Sequence, residues 1–273
     1  ATPIPRTLAM ILYGDLDISV LDESIPGRQK VDTFRIDSSK RFRAWNFVKK
    51  IIDEGGQAYV VCACIEENEN DIADVNTYRE NMIKNGFSEK DIAVLHGKMT
   101  TAEKEFIMSE FTENKIKVLV STTVIEVGID VPNAQIILIE NAERFGISQL
   151  HQLRGRVGRN SKKSYCVLVS DAKGADAQKR FSALVGSGDG FYLSGEDLKI
   201  RGPGDFFGTN QHGVPNIGIP TSYEDVIIMK QAQTAAENLI KTNPEMEGQE
   251  FKFIKHNIEK TFTKNDENQR IIF

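Results

Sequence analysis

Short runs rich in valine, isoleucine and leucine alternate with amphipathic stretches through the middle of this chain, and that alternation leaves few folds open. "QAYVVCACI" (57–65) reads as a buried strand, "DIADVNTYRENMIKNG" (71–86) as a helix stopped by Gly86, and "DIAVLHG" (91–97) as a second short strand. "TTAEKEFIMSEFTEN" (100–114) follows as a helix whose apolar stripe falls on Ala102, Phe106, Ile107 and Phe111. "KIKVLVST" (115–122), "AQIILIEN" (134–141) and "SYCVLVSD" (164–171) are further strands. "GISQLHQLRG", between the last two, is a helix with Leu150, Leu153 and Val157 on one side. Ahead of the first strand, "WNFVKKIIDEGG" is another helix, with Phe42, Trp45, Val48 and Ile52 turned inward and Trp45 a core residue rather than a base-stacking platform. Strands alternating with helices build βαβ units, so the fold class is α/β, a parallel sheet flanked by helices with right-handed crossovers. Such a sheet binds its ligands beyond the carboxyl ends of its strands. The loops to inspect are therefore "STTVIEVGID" (121–130) and "HQLRGRVGRN" (151–160).

After residue 172 the pattern changes. The next fifty residues are glycine-rich and irregular, with a helix expected near Asp176 to Val185 and a shorter one near Gly195 to Ile200. Their apolar content is too high for a linker, so they read as a compact appendage docked on the sheet domain. The tail from Tyr223 to Phe273 reads as two helices divided by "KTNPEMEG". The expected organisation is a sheet domain over 1–172, an appendage over 173–220 and C-terminal helices over 221–273. The chain opens on Ala1 rather than methionine, which reads as a start inside a longer protein.

Charge and cysteine content exclude several function classes. A formal net charge of -5 does not suit a binder coated in positive charge, although one basic groove is compatible with an acidic surface elsewhere. No apolar run reaches the roughly 18 residues of a membrane span, and no secretory leader is visible. Cys62, Cys64 and Cys166 follow no disulfide or zinc spacing, and point to a reducing compartment. His96, His151, His212 and His256 are scattered singly, without metal-ligand spacing. "HGKMT" (96–100) lacks the upstream glycine of a phosphate-cradling loop, and "GSGDGF" (186–191) lacks dinucleotide-binding spacing. There is no nucleophile elbow, and "IEENENDIAD" reads as a solvated loop and helix start.

What stands out is "QLRGRVGR" (152–159), in which Arg154, Arg156 and Arg159 occur with no acid to neutralise them. If the turn stays roughly helical, Arg156 and Arg159 project on one side, about 5–6 Å apart at Cβ. Two guanidinium forks so placed suit a polyphosphate or its transition state. Gly155 and Gly158 would let the backbone approach a ligand or a neighbouring domain. On chemistry alone, a surface cluster that binds any anion is an equal reading.

The segment resembles motif VI of superfamily 2 helicases, Q-x-x-G-R-x-x-R, and every position of the pattern is met. "VLVSTTVIEVGIDVPNA" (118–134) resembles motif V of the same superfamily, "ATPIPRT" (1–7) the end of motif III, and "VLHGKM" (94–99) the turn between motifs IV and V. The resemblance implies a RecA-like fold for residues up to 172, as the second motor domain. "GFYLSGEDLKIRGPGDFFGTNQHG" (190–213) and "LYGDLDISVLDESIPGRQKV" (12–31) are similar to the RecG family of bacterial branched-DNA helicases. The transcription-repair coupling translocase has a related segment, but typically with R-G-A-G where this chain has "RGPG" at 201–204. Gly195 and Asn210 depart from the family pattern within that segment.

The resemblance implies roles residue by residue. Arg156 and Arg159 would be arginine fingers on ATP, and Gln152 would help position the motif. Gly128 and Asp130 would reach the nucleotide ribose and the motif VI arginines. Thr122 and Thr123 would hold a nucleic-acid phosphate, with a helix N-cap as the competing reading for Thr123. Arg180, Arg201 and Gln211 would couple motor closure to DNA translocation through a helical hairpin, with Arg201 and Asp205 holding its shape. ATP and Mg²⁺ would be bound mainly by a first RecA-like domain that carries the P-loop and is not part of this sequence. The implied partners are that domain and branched or forked DNA, with no membrane, in the bacterial cytoplasm at the nucleoid. The implied activity is ATP-dependent remodelling of forks and junctions in recombination and repair, with the chain alone inactive as an ATPase. A non-catalytic duplex-binding module is the alternative.

Overall fold

The structure is a computed structural model and describes residues 29–63, 69–122, 131–201, 223–258 and 260. Thr123, Gly128, Asp130, Asp205 and Gln211 lie outside the described residues, as do Cys64 and the segments resembling motif III and 12–28.

Elements follow in the order β1 (Val31–Ile36), α1 (Arg41–Asp53), β2 (Gln57–Cys62), α2 (Glu69–Lys84), β3 (Ile92–Leu95) and α3 (Thr101–Thr112). Then come β4 (Val118–Ser121), β5 (Ala134–Glu140), α4 (Ile147–Arg154), β6 (Ser164–Val169), α5 (Ala175–Gly186) and α6 (Gly190–Arg201). The strands form one six-stranded sheet in the order β1-β6-β5-β2-β4-β3. Every pair in it is parallel, as the alternation of strands and helices requires.

Alternate side chains of the central strands enter two cores, one on each face of the sheet. Tyr59, Val61, Leu119, Ile137, Ile139 and Leu168 point to the face covered by α3, α4 and α5, where Phe111, Leu150 and Phe181 meet them. Ala58, Val60, Val120, Ile136, Leu138 and Val167 point to the other face, against Trp45 and Val48 of α1 and Val75 and Met82 of α2. All seven residues of β5 are buried, and burial on both faces explains why its middle, Ile136 to Ile139, is a continuous apolar run rather than an alternation.

Three local expectations are corrected. β1 was not anticipated: it is an edge strand in which Phe34 is half exposed and polar residues alternate, so it lacks the apolar density of its neighbours. In α1 the inward stripe is Ala44, Trp45, Val48 and Ile51, whereas Phe42 lies outside and touches Trp45 edge-on at 5.5 Å. In α3 the inward residues are Ile107, Met108 and Phe111. Phe106 precedes Phe111 by five residues, which is about 140° around a helix, and it is 65% exposed. The start of α3 is fixed by a reciprocal cap: the Glu103 amide donates to Thr100 Oγ1, and the Thr100 amide donates to Glu103 Oε2.

The packing runs past residue 172, where the sequence pattern changes. Ala177, Phe181, Ala183, Leu184 and Leu193 share the core of the sheet, and the described residues up to Ile200 form one compact unit. The second helix after 172 begins at Gly190, five residues ahead of its expected start. Described residues from Arg201 onward form a second unit. In it α7 (Tyr223–Thr242) ends before the proline-containing segment, and a 3-10 turn over Gln249–Phe251 follows.

Candidate functional site

The site grows from the carboxyl end of β5. That strand stops at Glu140, and Asn141 turns the chain with φ of 49°, a left-handed value that asparagine tolerates. Gly146 then opens α4, whose Ile147, Leu150 and Leu153 are buried. The helix ends at Arg154, but one more tightened turn follows: the Arg156 amide donates to Leu153 O at 3.0 Å, and the Val157 amide to Arg154 O at 3.3 Å. Val157 is fully buried and anchors the turn. Gly158 then adopts φ of +77°, and a Cβ there would lie 2.8 Å from Val31 Cγ2. Only glycine meets both demands, the left-handed backbone and the close approach to β1.

Helical spacing therefore does not hold between Arg156 and Arg159, because the left-handed glycine intervenes. The two arginines nevertheless meet in one place. Together with Gln152, His151, Lys30 and Gly188 they line a cleft of about 590 Å³. Among the described residues no carboxylate side chain lines it. Its donors include guanidinium, ammonium and amide groups, a set that fits a polyphosphate. Among the described residues no cluster of His, Cys, Asp or Glu could hold a metal ion, and no helix is long and apolar enough to cross a membrane.

The third arginine of the segment, Arg154, also borders the cleft, but its guanidinium is tied to another element. Arg154 is 6% exposed, and its Nη1 donates to Leu184 O and to Ser187 O, both at 2.8 Å. Those carbonyls sit at the carboxyl end of α5, where backbone acceptors have no helical partner and the helix dipole favours a cation. The sequence did hold a signal for this: Arg154 follows Ile147 and Leu150 at seven and four residues, on the buried stripe of α4.

Arg180, on α5, donates from Nη1 to Phe145 O at 2.7 Å, just before α4 begins. Arg35 of β1 holds the other end of α5. Its Nη2 donates to Ala172 O at 2.6 Å, its Nη1 to Gln178 Oε1, and its guanidinium lies 4.8 Å from the Phe181 ring centre. Arg201 closes α6, with its side chain outside the described part. At the end of β4, the Thr122 amide donates to Leu95 O at 3.2 Å. The hydroxyls of Ser121 and Thr122 are both buried and have no hydrogen-bond partner among the described residues.

One polar cluster at the same sheet edge escaped sequence reasoning. Glu140 is 3% exposed and receives two bonds from Arg41, Nε to Oε1 and Nη2 to Oε2, both 2.9 Å. The Tyr78 hydroxyl donates to Glu140 Oε1 at 2.8 Å and accepts from Trp45 Nε1 at 2.7 Å. Burial, and then the Glu140 carboxylate, push the Tyr78 phenol well above its usual range; the bond to Glu140 raises the Arg41 guanidinium. The network joins α1, α2 and β5 across long sequence distances, so no local pattern announces it.

Residues 43–161 match the helicase conserved C-terminal domain family, and residues 187–272 match domain 3, C-terminal, of ATP-dependent DNA helicase RecG. Over 248 residues the chain is 45% identical to ATP-dependent DNA helicase RecG of Synechocystis sp., covering 90% of this chain and 30% of that protein. Against the Bacillus subtilis protein of the same name it is 43% identical over 243 residues, 88% of this chain and 35% of the relative. The chain thus spans about a third of the length of the curated relatives it matches. Among solved structures, RecG bound to a three-way DNA junction is similar with a TM-score of 0.66 and 39% identity, covering 85% of this chain and 29% of that one.

Proposed function

Since the chain belongs to the RecG family and corresponds to a C-terminal part of its members, we propose that it is the second motor half of an ATP-driven DNA helicase that acts on forks and branched junctions. The observation that carries this reading is the cleft in which Arg156 and Arg159 meet beside Lys30 and Gln152. Their guanidinium groups would neutralise charge on the phosphoryl group in flight, with Gln152 steadying the turn. ATP would be held there against a first RecA-like domain that supplies the P-loop and the Mg²⁺ ligands. Gly128 and Asp130 would approach the ribose. Thr122 and Thr123 would hold a DNA phosphate, and the buried, unbonded Thr122 hydroxyl at the sheet edge supports that placement. Arg180, Arg201 and Gln211 would relay closure of the motor to the DNA.

The test is phosphate release with branched DNA present. The chain alone should show none, because it has no P-loop to hold the β- and γ-phosphates. In the intact protein, Arg156→Ala should lower turnover by about 10³–10⁵-fold, the usual worth of an arginine finger. Hydrolysis by the chain alone, or an intact Arg156→Ala protein with full turnover, overturns the proposal.

A further inference from the structure

Arg154 stands two residues from the proposed finger Arg156, yet its guanidinium is engaged with another element. It is 6% exposed, and Nη1 spans two carbonyls, Leu184 O in the last turn of α5 and Ser187 O just beyond. A buried guanidinium held by main-chain carbonyls is tightly located, because any displacement strips a full charge of its acceptors. The same segment that carries Arg154 forms one side of the cleft, and Gly188, the residue after Ser187, also lines it. The backbone around Gly188 is organised by its neighbours. The Ser187 amide donates to Ala183 O at 3.0 Å, the Asp189 amide to Ser187 Oγ at 3.1 Å, and the Phe191 amide to Asp189 Oδ1 at 2.9 Å.

We propose that Arg154 is a positioning residue that makes the α5–α6 turn, Ser187 to Asp189, a part of the nucleotide site. The inference rests on the nucleotide reading given above. In this role Arg154 need touch no reacting atom. It fixes the carboxyl end of α4, and with it the turn bearing Arg156, against the end of α5. Whatever occupies the cleft and draws Arg156 toward it must therefore load the Leu184 and Ser187 carbonyls through Arg154. By linkage, the order of that turn in turn sets how well the finger is placed. The effect belongs on turnover more than on affinity, since a mispositioned finger loses transition-state contact while ground-state phosphate contacts remain.

The experiment uses the intact helicase, a non-hydrolysable ATP analogue and amide hydrogen exchange over residues 184–191. In the unmodified protein the analogue should slow exchange in this segment by at least fivefold. Arg154→Met should abolish that slowing while still binding the analogue, and should lower the kcat of DNA-stimulated hydrolysis about tenfold or more, with KM changed less than threefold. Arg154→Lys, which keeps the charge but loses the fork, should restore part of both. Exchange in the unmodified protein that ignores the analogue overturns the inference without any variant, so a misfolded Arg154→Met protein does not leave it open. Wild-type turnover in Arg154→Met also overturns it. If Arg156→Ala is inactive while Arg154→Met behaves as wild type, only this inference fails; if Arg156→Ala is itself fully active, the nucleotide reading fails.

Discussion

The Arg180 guanidinium donates to the Phe145 carbonyl at 2.7 Å, immediately before the glycine that opens α4. α5 therefore grips α4 at both ends, through Arg180 at its start and through Arg154 at its finish. Arg180→Ala removes a charge-assisted bond from a partly buried acceptor, which costs on the order of 1–2 kcal/mol. The expected outcome is a fall of a few degrees in the midpoint of thermal unfolding. In the intact helicase, DNA unwinding should fall by a larger factor than ATP hydrolysis. Equal losses of both would show that Arg180 serves only stability.

Gly158 tolerates no side chain without strain. Alanine there meets a left-handed backbone, at roughly 1–2 kcal/mol, and an approach of 2.8 Å to Val31 Cγ2. Gly158→Ala should lower the urea midpoint by an amount equivalent to about 2–3 kcal/mol. It should also displace Arg159 relative to Arg156, so hydrolysis in the intact protein should fall further than stability alone accounts for.

Glu140 holds the opposite end of the sheet, where β5 finishes. Glu140→Ala leaves Arg41 and Tyr78 without their shared acceptor. Arg41 is 34% exposed, so solvent screens part of the loss, and a destabilisation of about 2–3 kcal/mol is expected. Tyr78→Phe removes a single bond to Glu140 and the acceptor for Trp45, and should cost about 1–2 kcal/mol. Denaturant unfolding of both single variants and the double variant checks this, with non-additive losses expected for groups in one network.

Burial pushes the Cys166 thiol from its ordinary value near 9 up to about 12. The unfolded chain therefore releases this proton at lower pH than the folded one. The associated stability is complete below pH 9 and is lost as pH climbs toward 12, at up to about 1.4 kcal/mol per pH unit. Cys166→Ala should flatten the alkaline limb of a stability–pH curve. At pH 8 a thiol reagent should modify Cys166 only at the rate of unfolding.

Thr122 separates folding from binding. Its hydroxyl is buried without a hydrogen-bond partner among the described residues, so replacement by an isosteric methyl should leave stability unchanged or raise it slightly. If the hydroxyl waits for a DNA phosphate, Thr122→Val should weaken DNA binding by the intact protein several-fold. An unchanged affinity across a salt titration would remove Thr122 from the interface.

How much of this was legible in the residues follows from which forces were local. β2, β4 and β5 announce themselves because strands buried on both faces carry continuous apolar runs, with polar residues confined mainly to their ends. β1 does not, since an edge strand with Phe34 half exposed carries no such demand. Phe42 and Phe106 misled because a large apolar side chain counts toward a stripe whether or not packing uses it. Motif VI marks its arginines as a group, and all three border the cleft, but only packing shows that Arg154 is held by the Leu184 and Ser187 carbonyls. The Glu140 network was unreadable because its members are drawn from three distant elements.

The strand order carries a consequence for how the chain is made. β1 leads the described sequence, yet its one neighbour in the sheet is β6, with Val31 opposite Ser164. As the polypeptide leaves the ribosome, β1 must wait unpaired while β2 to β5 assemble, and β5 keeps an open edge until β6 slides between them. The same closing step brings Val31 against Gly158, so the arginine turn acquires its backing only when the sheet is finished. A nascent chain stopped short of β6 would display an unpaired apolar edge on β5 to chaperones and to other copies of itself, with no assembled cleft.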